Sequence, residues 1–174
     1  MISLIQKTIR GFAAPKHRLS CSTKLWNEGL IELRRRTEGY HESGAFLLGK
    51  EDGSRRRITQ FAYYDDLDPR SLDTGIVVFD GSGYGPLWQL CRETGLTVIA
   101  DVHVHPEAAR QSPSDRANPM IATKGHIALI VPNFAEQIFR PSKLGIYEYK
   151  GAHSWNDFTG ERAAEDFFYV GFWG

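Results

Sequence analysis

Apolar positions along the chain follow two periods. Leu25, Trp26, Leu30, Ile31 and Leu33 recur at helical spacing, which predicts an amphipathic helix over 24–38. Thr23 is the expected N-cap, and Gly39 sits where such a helix ends. A second helix is predicted over 86–94, where Leu87, Trp88, Leu90 and Cys91 share a face. Elsewhere the period is that of strands. Residues 18–22 alternate, and 42–49 carry the unbroken apolar run Ala45-Phe46-Leu47-Leu48, the pattern of a strand covered on both faces. The turn Asp52-Gly53-Ser54 then predicts an antiparallel return over 57–64. Further strands are predicted over 75–79, 96–105, 126–131 and 144–149, with 153–158 pairing back after a turn at Gly151. Gly81 to Gly85 reads as a turn, 65–74 and 132–143 as loops, and 114–122 as a short helix. Hairpins interleaved with helices predict an α/β fold of the mixed α+β kind: one domain, its mixed central sheet flanked by helices.

Composition narrows the function classes. At 174 residues, with 41% apolar and 24% charged side chains, the chain suits one globular domain with a real core. Its 21 basic and 21 acidic residues cancel, so no overall field draws it to nucleic acid or a membrane, and neither is expected as a partner. The runs Arg34-Arg35-Arg36 and Arg55-Arg56-Arg57 read either as solvated strips or as a dock for an acidic partner. Cys21 and Cys91 stand far apart with no C-x-x-C pair, which points to a reduced, cytoplasmic protein. No apolar stretch is long enough to span a membrane, and residues 1–14 lack the continuous apolar run of a signal peptide. Residues 1–17, with Leu4, Ile5 and Ile9, read as an N-terminal arm or edge strand ahead of a domain over 18–158. The aromatic tail over 159–174 is expected to dock on that domain; a partner or a second copy is its other use. The oligomeric state is left open.

The chemistry concentrates in residues 96–115. On a strand, Asp101, His103 and His105 point to one side and Val102 and Val104 to the other. Pro106 ends the strand. Six residues after His105 comes Ser112-Pro113-Ser114-Asp115, a helix start with an S-x-x-D capping box and proline at the first helical position. Two imidazoles and one carboxylate make a three-ligand metal site with one position open, the catalytic pattern. The plainer alternative is an ordinary H-x-H strand followed by an ordinary capped helix; a capped helix is also a rigid mount for a ligand. Other chemistries find no support. There is no H-E-x-x-H, no P-C-x-x-C follows His105-Pro106-Glu107, and Gly81-x-Gly83-x-Gly85 lacks the Gly-Lys-Ser/Thr of a phosphate loop.

His103-Val104-His105-Pro106 followed by Ser112-Pro113-Ser114-Asp115 resembles the H-x-H-P…S-x-x-D signature of the JAMM (MPN-plus, JAB) zinc metalloproteases, which remove ubiquitin and ubiquitin-like proteins. That family also carries an earlier glutamate in an E-x-x-G-x-x-x-G context. Here Glu42-Ser43-Gly44-Ala45-Phe46-Leu47-Leu48-Gly49 is similar, with Ala45 in place of the inner glycine and Gly44 beside it. The spacing between His105 and Ser112 is one residue shorter than usual. The resemblance covers roughly residues 18–158 and implies a single JAMM/MPN-like domain of the compact prokaryotic type. It implies one Zn2+ per chain held by His103, His105 and Asp115, Glu42 as general base and later acid, and Ser112 as donor to the oxyanion. Asp101 would orient a ligand histidine from behind. The implied activity is a zinc isopeptidase or peptidase cutting after the C-terminal tail of a ubiquitin-like protein, by deconjugation or precursor processing in a bacterial conjugation pathway. Release of a sulfur-carrier protein from a fusion, or a catalytically silent scaffold of the same fold, are the alternatives.

Overall fold

The computed structural model describes residues 17–79, 81–172 and 174, so the arm or edge strand expected over 1–17 lies, except for His17, outside the described residues. Its strands are β1 (Leu19–Ser22), β2 (Gly44–Asp52), β3 (Arg55–Tyr63), β4 (Thr97–Val104), β5 (Ile127–Val131), β6 (Gly145–Gly151), β7 (Ser154–Asp157) and β8 (Phe168–Gly171). Its helices are α1 (Thr23–Thr37), α2 (Tyr64–Leu67), α3 (Gly81–Thr94), α4 (Pro113–Ala117) and α5 (Glu161–Phe167). The strands form one mixed sheet in the order β7-β6-β5-β4-β2-β3-β1-β8. Strand β4 lies near its middle, antiparallel to β2 and parallel to β5. The mixed sheet with helices on its faces is the fold class that the patterning predicts. Among the described residues no helix is long and apolar enough to cross a membrane.

The apolar run of β2 shows why both faces are covered. Ala45 and Leu47 pack on one side with Trp26, Leu30 and Leu33 of α1 and with Val102 and Val104 of β4. Phe46 and Leu48 pack on the other with Tyr64 and with Leu87 of α3. A strand between two layers needs apolar groups at every position. The C-terminal tail enters the first of these layers. Phe167 and Phe168 are buried, β8 runs parallel to β1, and the Phe168 ring stands edge-on to Trp26 at 5.0 Å. The Trp26 indole N–H, deep in this core, donates to the Phe139 carbonyl at 2.9 Å.

Several local expectations are corrected. Helix α1 is capped by Ser22, whose Oγ accepts from the Leu25 N–H at 3.3 Å, and Thr23 is its first residue. Residues 75–79 form no strand, and Gly81 to Gly85 belongs to α3 rather than to a turn. Glycine and an internal proline make poor helix formers, but tertiary packing overrides them here. Tyr84 and Leu87 join the Phe46–Tyr64–Phe79 cluster, and a side chain at Gly83 would strike the Phe79 ring. The arginine runs are partly tied to the rest of the domain, with Arg34, Arg35 and Arg55 exposed. Arg36 pairs with Glu32, Asp65 and Asp66 over the Tyr63 ring, Arg34 donates to the Glu136 carbonyl, and Arg56 donates to the Gly125 carbonyl.

Candidate metal centre

Strand β4 delivers the histidines. Val102 and Val104 fall in the α1 layer, while Asp101, His103 and His105 face the other way, as the two-residue period predicts. The Nε2 atoms of His103 and His105 lie 3.0 Å apart. Helix α4 brings the carboxylate. The Oδ1 of Asp115 is 3.7 Å from His103 Nε2 and its Oδ2 is 3.3 Å from His105 Nε2. Tetrahedral zinc with bonds of roughly 2.0–2.2 Å sets its donor atoms about 3.3–3.6 Å apart. The separations of 3.0, 3.3 and 3.7 Å straddle that edge, so the three donors fit one ion. Two ring nitrogens at hydrogen-bond distance can share only one proton, so at least one presents a lone pair to the cluster.

The capping box holds Asp115 in place. Ser112 Oγ accepts from the Asp115 N–H at 3.1 Å, and Asp115 Oδ2 accepts from the Ser112 N–H at 2.6 Å. One carboxylate oxygen thus serves the helix end and also faces His105. The Ser112 hydroxyl accepts in this bond, which leaves its own proton free to donate.

Glu42 sits just ahead of β2, which starts at Gly44 rather than at Glu42 as expected. Residues 75–79, which form no strand, clamp it. The Glu42 N–H donates to the Gly75 carbonyl at 3.0 Å, and Glu42 Oε2 accepts from the Val77 N–H at 3.2 Å. The other oxygen, Oε1, is thereby turned toward His105 Nε2, 3.7 Å away.

Asp101 lies behind His103 and is almost wholly buried. Its Oδ2 is 3.9 Å from His103 Nδ1, an ionic neighbour beyond hydrogen-bond reach, and that nitrogen has no hydrogen-bond partner. Its firmer partners are two residues that sequence reasoning missed. His126 Nε2 donates to Asp101 Oδ1 at 2.6 Å, and the Tyr64 hydroxyl donates to Oδ2 at 3.4 Å. Both come from other strands' ends, and nothing in a linear pattern marks them.

Three carboxylates, Glu42, Asp101 and Asp115, therefore surround the imidazole pair, a field that favours a cation. Without an ion the ionisable groups show that field. Burial alone would lower the His103 pKa, but the Asp101 and Asp115 carboxylates outweigh it and raise it to about 10. Burial would raise the Asp115 carboxyl; the two imidazoles and the Ser112 N–H instead hold it far below the usual range. Asp101 is likewise held low against its burial by His103 and His126. Tyr64, pushed well up chiefly by burial and then by Asp101, stays a neutral donor. A divalent ion would take the place of the proton that these acids now hold on His103.

Beside Asp115 a groove of about 370 Å³ runs between Val77, Phe79 and Tyr84 on one wall and Asn118 and Met120 on the other. A larger groove of about 820 Å³, between α1 and the C-terminal strand, shares no residue with the cluster.

No family model matches the chain. Over 117 residues it is 36% identical to probable metalloprotease y4jG of Sinorhizobium fredii, a match that covers 67% of this chain and 72% of that protein. The chain belongs to this family of probable metalloproteases. The solution structure of a Desulfitobacterium hafniense protein superposes with a TM-score of 0.60, covering 87% of this chain and 92% of that one at 17% identity, a likeness of fold alone. Among the described residues His103, His105 and Asp115 form the one three-residue cluster that is able to hold a metal ion.

Proposed function

We propose that the chain is a JAMM-type zinc peptidase that cuts the bond after the C-terminal tail of a ubiquitin-like protein. The observation that carries the reading is the Glu42 carboxylate beside a two-histidine, one-aspartate cluster, 3.7 Å from a ligand nitrogen. Two imidazoles and one carboxylate suit zinc. Bound there, zinc would lower the pKa of a water to about 7 and polarise the scissile carbonyl. His103, His105 and Asp115 would hold it.

The protein's own groups do the rest. Glu42 Oε1 takes the proton of the attacking water and passes it to the departing amine. Its backbone N–H and Oε2 are already engaged by Gly75 and Val77, so Oε1 is the free, aimed oxygen. The Ser112 hydroxyl, free to donate, steadies the oxygen of the carbonyl under attack. Asp101 backs the His103 ring.

A flexible, glycine-ended tail suits the groove beside Asp115. Residues 75–79 pair with no strand and leave Ile76 and Val78 50% and 47% exposed, an apolar lip against which the side chains of an extended tail pack. We assign the enzyme to a bacterial ubiquitin-like conjugation pathway. The free thiols of Cys21 and Cys91 suit a reducing cytoplasm.

Metal analysis of the purified protein, followed by incubation with ubiquitin-like fusions and with a sulfur-carrier fusion, tests the reading. We expect one zinc per chain and cleavage at the fusion junction. Glu42→Gln should keep the zinc and lose cleavage. Cleavage by Glu42→Gln at the parent rate would overturn the assigned chemistry, and zinc without cleavage of any fusion would favour the silent scaffold.

A further inference from the structure

Of the buried polar groups behind the cluster, His126 and Tyr64 have no part in the chemistry described above. His126 stands immediately ahead of β5, which runs parallel to β4 with Ala128 opposite Asp101. Its side chain is 4% exposed and that of Asp101 is 2% exposed. Between them lies the 2.6 Å hydrogen bond from His126 Nε2 to Asp101 Oδ1. Tyr64, wholly buried at the start of α2 just after β3, donates to the second oxygen. The sheet thus carries a buried histidine, carboxylate and phenol at its centre. As packing, such a set is a poor choice: apolar residues of similar volume serve stability as well or better.

The geometry gives the set a direction. A carboxylate has two oxygens and here each is anchored, Oδ1 by His126 and Oδ2 by Tyr64. The anchored Oδ2 is the carboxylate oxygen 3.9 Å from His103 Nδ1, beyond hydrogen-bond reach but near enough for its charge to favour a proton on that nitrogen. A carboxylate behind a ligand histidine fixes which ring nitrogen carries the proton and turns the other, as a lone pair, toward the metal. Without His126, Asp101 would keep one weak anchor at 3.4 Å and would be free to rotate.

We propose that His126 is a positioning residue for the metal site: it acts through Asp101 on the His103 ring, with Tyr64 as the second anchor. This rests on the reading of His103, His105 and Asp115 as metal ligands. The chain His126–Asp101–His103 spans two parallel strands, so it couples the β5 end to the cluster without touching the ion.

Titration of the metal-free protein with Co2+, read by its visible absorption, tests this without any substrate. The parent should take up one ion with a spectrum of low-symmetry four-coordination. His126→Phe should weaken binding about 10- to 100-fold, the range for lost outer-shell partners. His126→Gln keeps an N–H donor of similar reach and should recover most of that loss. Tyr64→Phe, which loses the longer bond, should weaken binding less than His126→Phe. His153→Gln, an exposed histidine away from the cluster, should bind as the parent does. If His126→Phe fails to fold, His126→Gln and His126→Asn decide, since only the first reaches Asp101. Parental affinity and spectrum in both would overturn the proposal and leave the metal reading standing. Failure of the parent itself to bind Co2+ or Zn2+ would overturn both.

Discussion

Gly44 is the position where one added carbon should disturb both the fold and the site. It lies opposite His103 in the β2–β4 pairing. A Cβ there would stand 2.4 Å from Tyr64 Cε2 and 2.8 Å from the Val102 carbonyl oxygen, where ordinary contact is 3.4 Å or more. The Tyr64 ring has nowhere to go. It is wholly buried, its centroid is 4.9 Å from Phe46 and 5.4 Å from Phe79, and its hydroxyl is bonded to Asp101. Overpacking of this kind costs about 1–3 kcal/mol. For a chain of this length each kcal/mol moves the melting point by about 2–4 °C, so Gly44→Ala should melt roughly 3–10 °C below the parent in chelator. Gly85→Ala is the matched control. Beyond its chain neighbours an added Cβ meets nothing within 4 Å, and a propensity gain of about 0.5–1 kcal/mol is set against crowding by the Pro86 ring, so Gly85→Ala should stay within about 1 kcal/mol of the parent. Scanning calorimetry of both variants gives the comparison. A double variant with Tyr64→Ala should lose less than the sum of the single losses, because the clash is with that ring. A Gly44→Ala protein that melts within a degree of the parent would refute the argument.

Other expectations follow from single contacts. Ser112→Ala removes the cap of α4 and should cost about 1 kcal/mol, with Ser112→Thr recovering most of it; calorimetry of the metal-free protein checks this. Glu32 is held down to about 2, first by its hydrogen bonds to Arg35 against the cost of burial and then by Arg36, so its contribution is complete above about pH 4.5 and is lost as pH falls toward 2. The stability gap between the parent and Glu32→Gln should therefore be flat above pH 5 and shrink in acid. Because these pairs are partly solvated, its plateau should be about 1 kcal/mol in denaturant titrations. The thiol of Cys21 is fully buried and pushed up to about 12 by that burial, whereas Cys91 is only half-buried. Maleimide labelling of the native protein, followed by peptide mass mapping, should mark Cys91 first; equal rates would place Cys21 at the surface.

Local geometry made part of the site legible. Alternation along a strand puts Asp101, His103 and His105 on one face whatever surrounds them. The Ser112–Asp115 capping box needs only the chain between them, and the structure builds it. The apolar run at 45–48 announced two covered faces, because a strand with only one buried face would alternate. The α1 periodicity was equally local, with its cap displaced by one residue to Ser22.

Other features depended on residues far apart in the chain. Gly81 to Gly85 reads as a turn on propensity alone, and it is helical because Tyr84 and Leu87 find a packed cluster to enter. Residues 75–77 carry strand-like side chains, yet their backbone is spent on Glu42. His126 and Tyr64 meet at Asp101 only because β5 pairs in parallel with β4 while β3 ends on the other side of β2. The sequence by itself therefore determined which side chains share a face and which helix end is capped, since both are set within a few residues. The tertiary structure decided how far the Asp115 carboxylate stands from the histidines, which oxygen of Glu42 is free, and what lies behind His103. Those depend on strand order and register, and pairing between distant segments leaves no period in the chain.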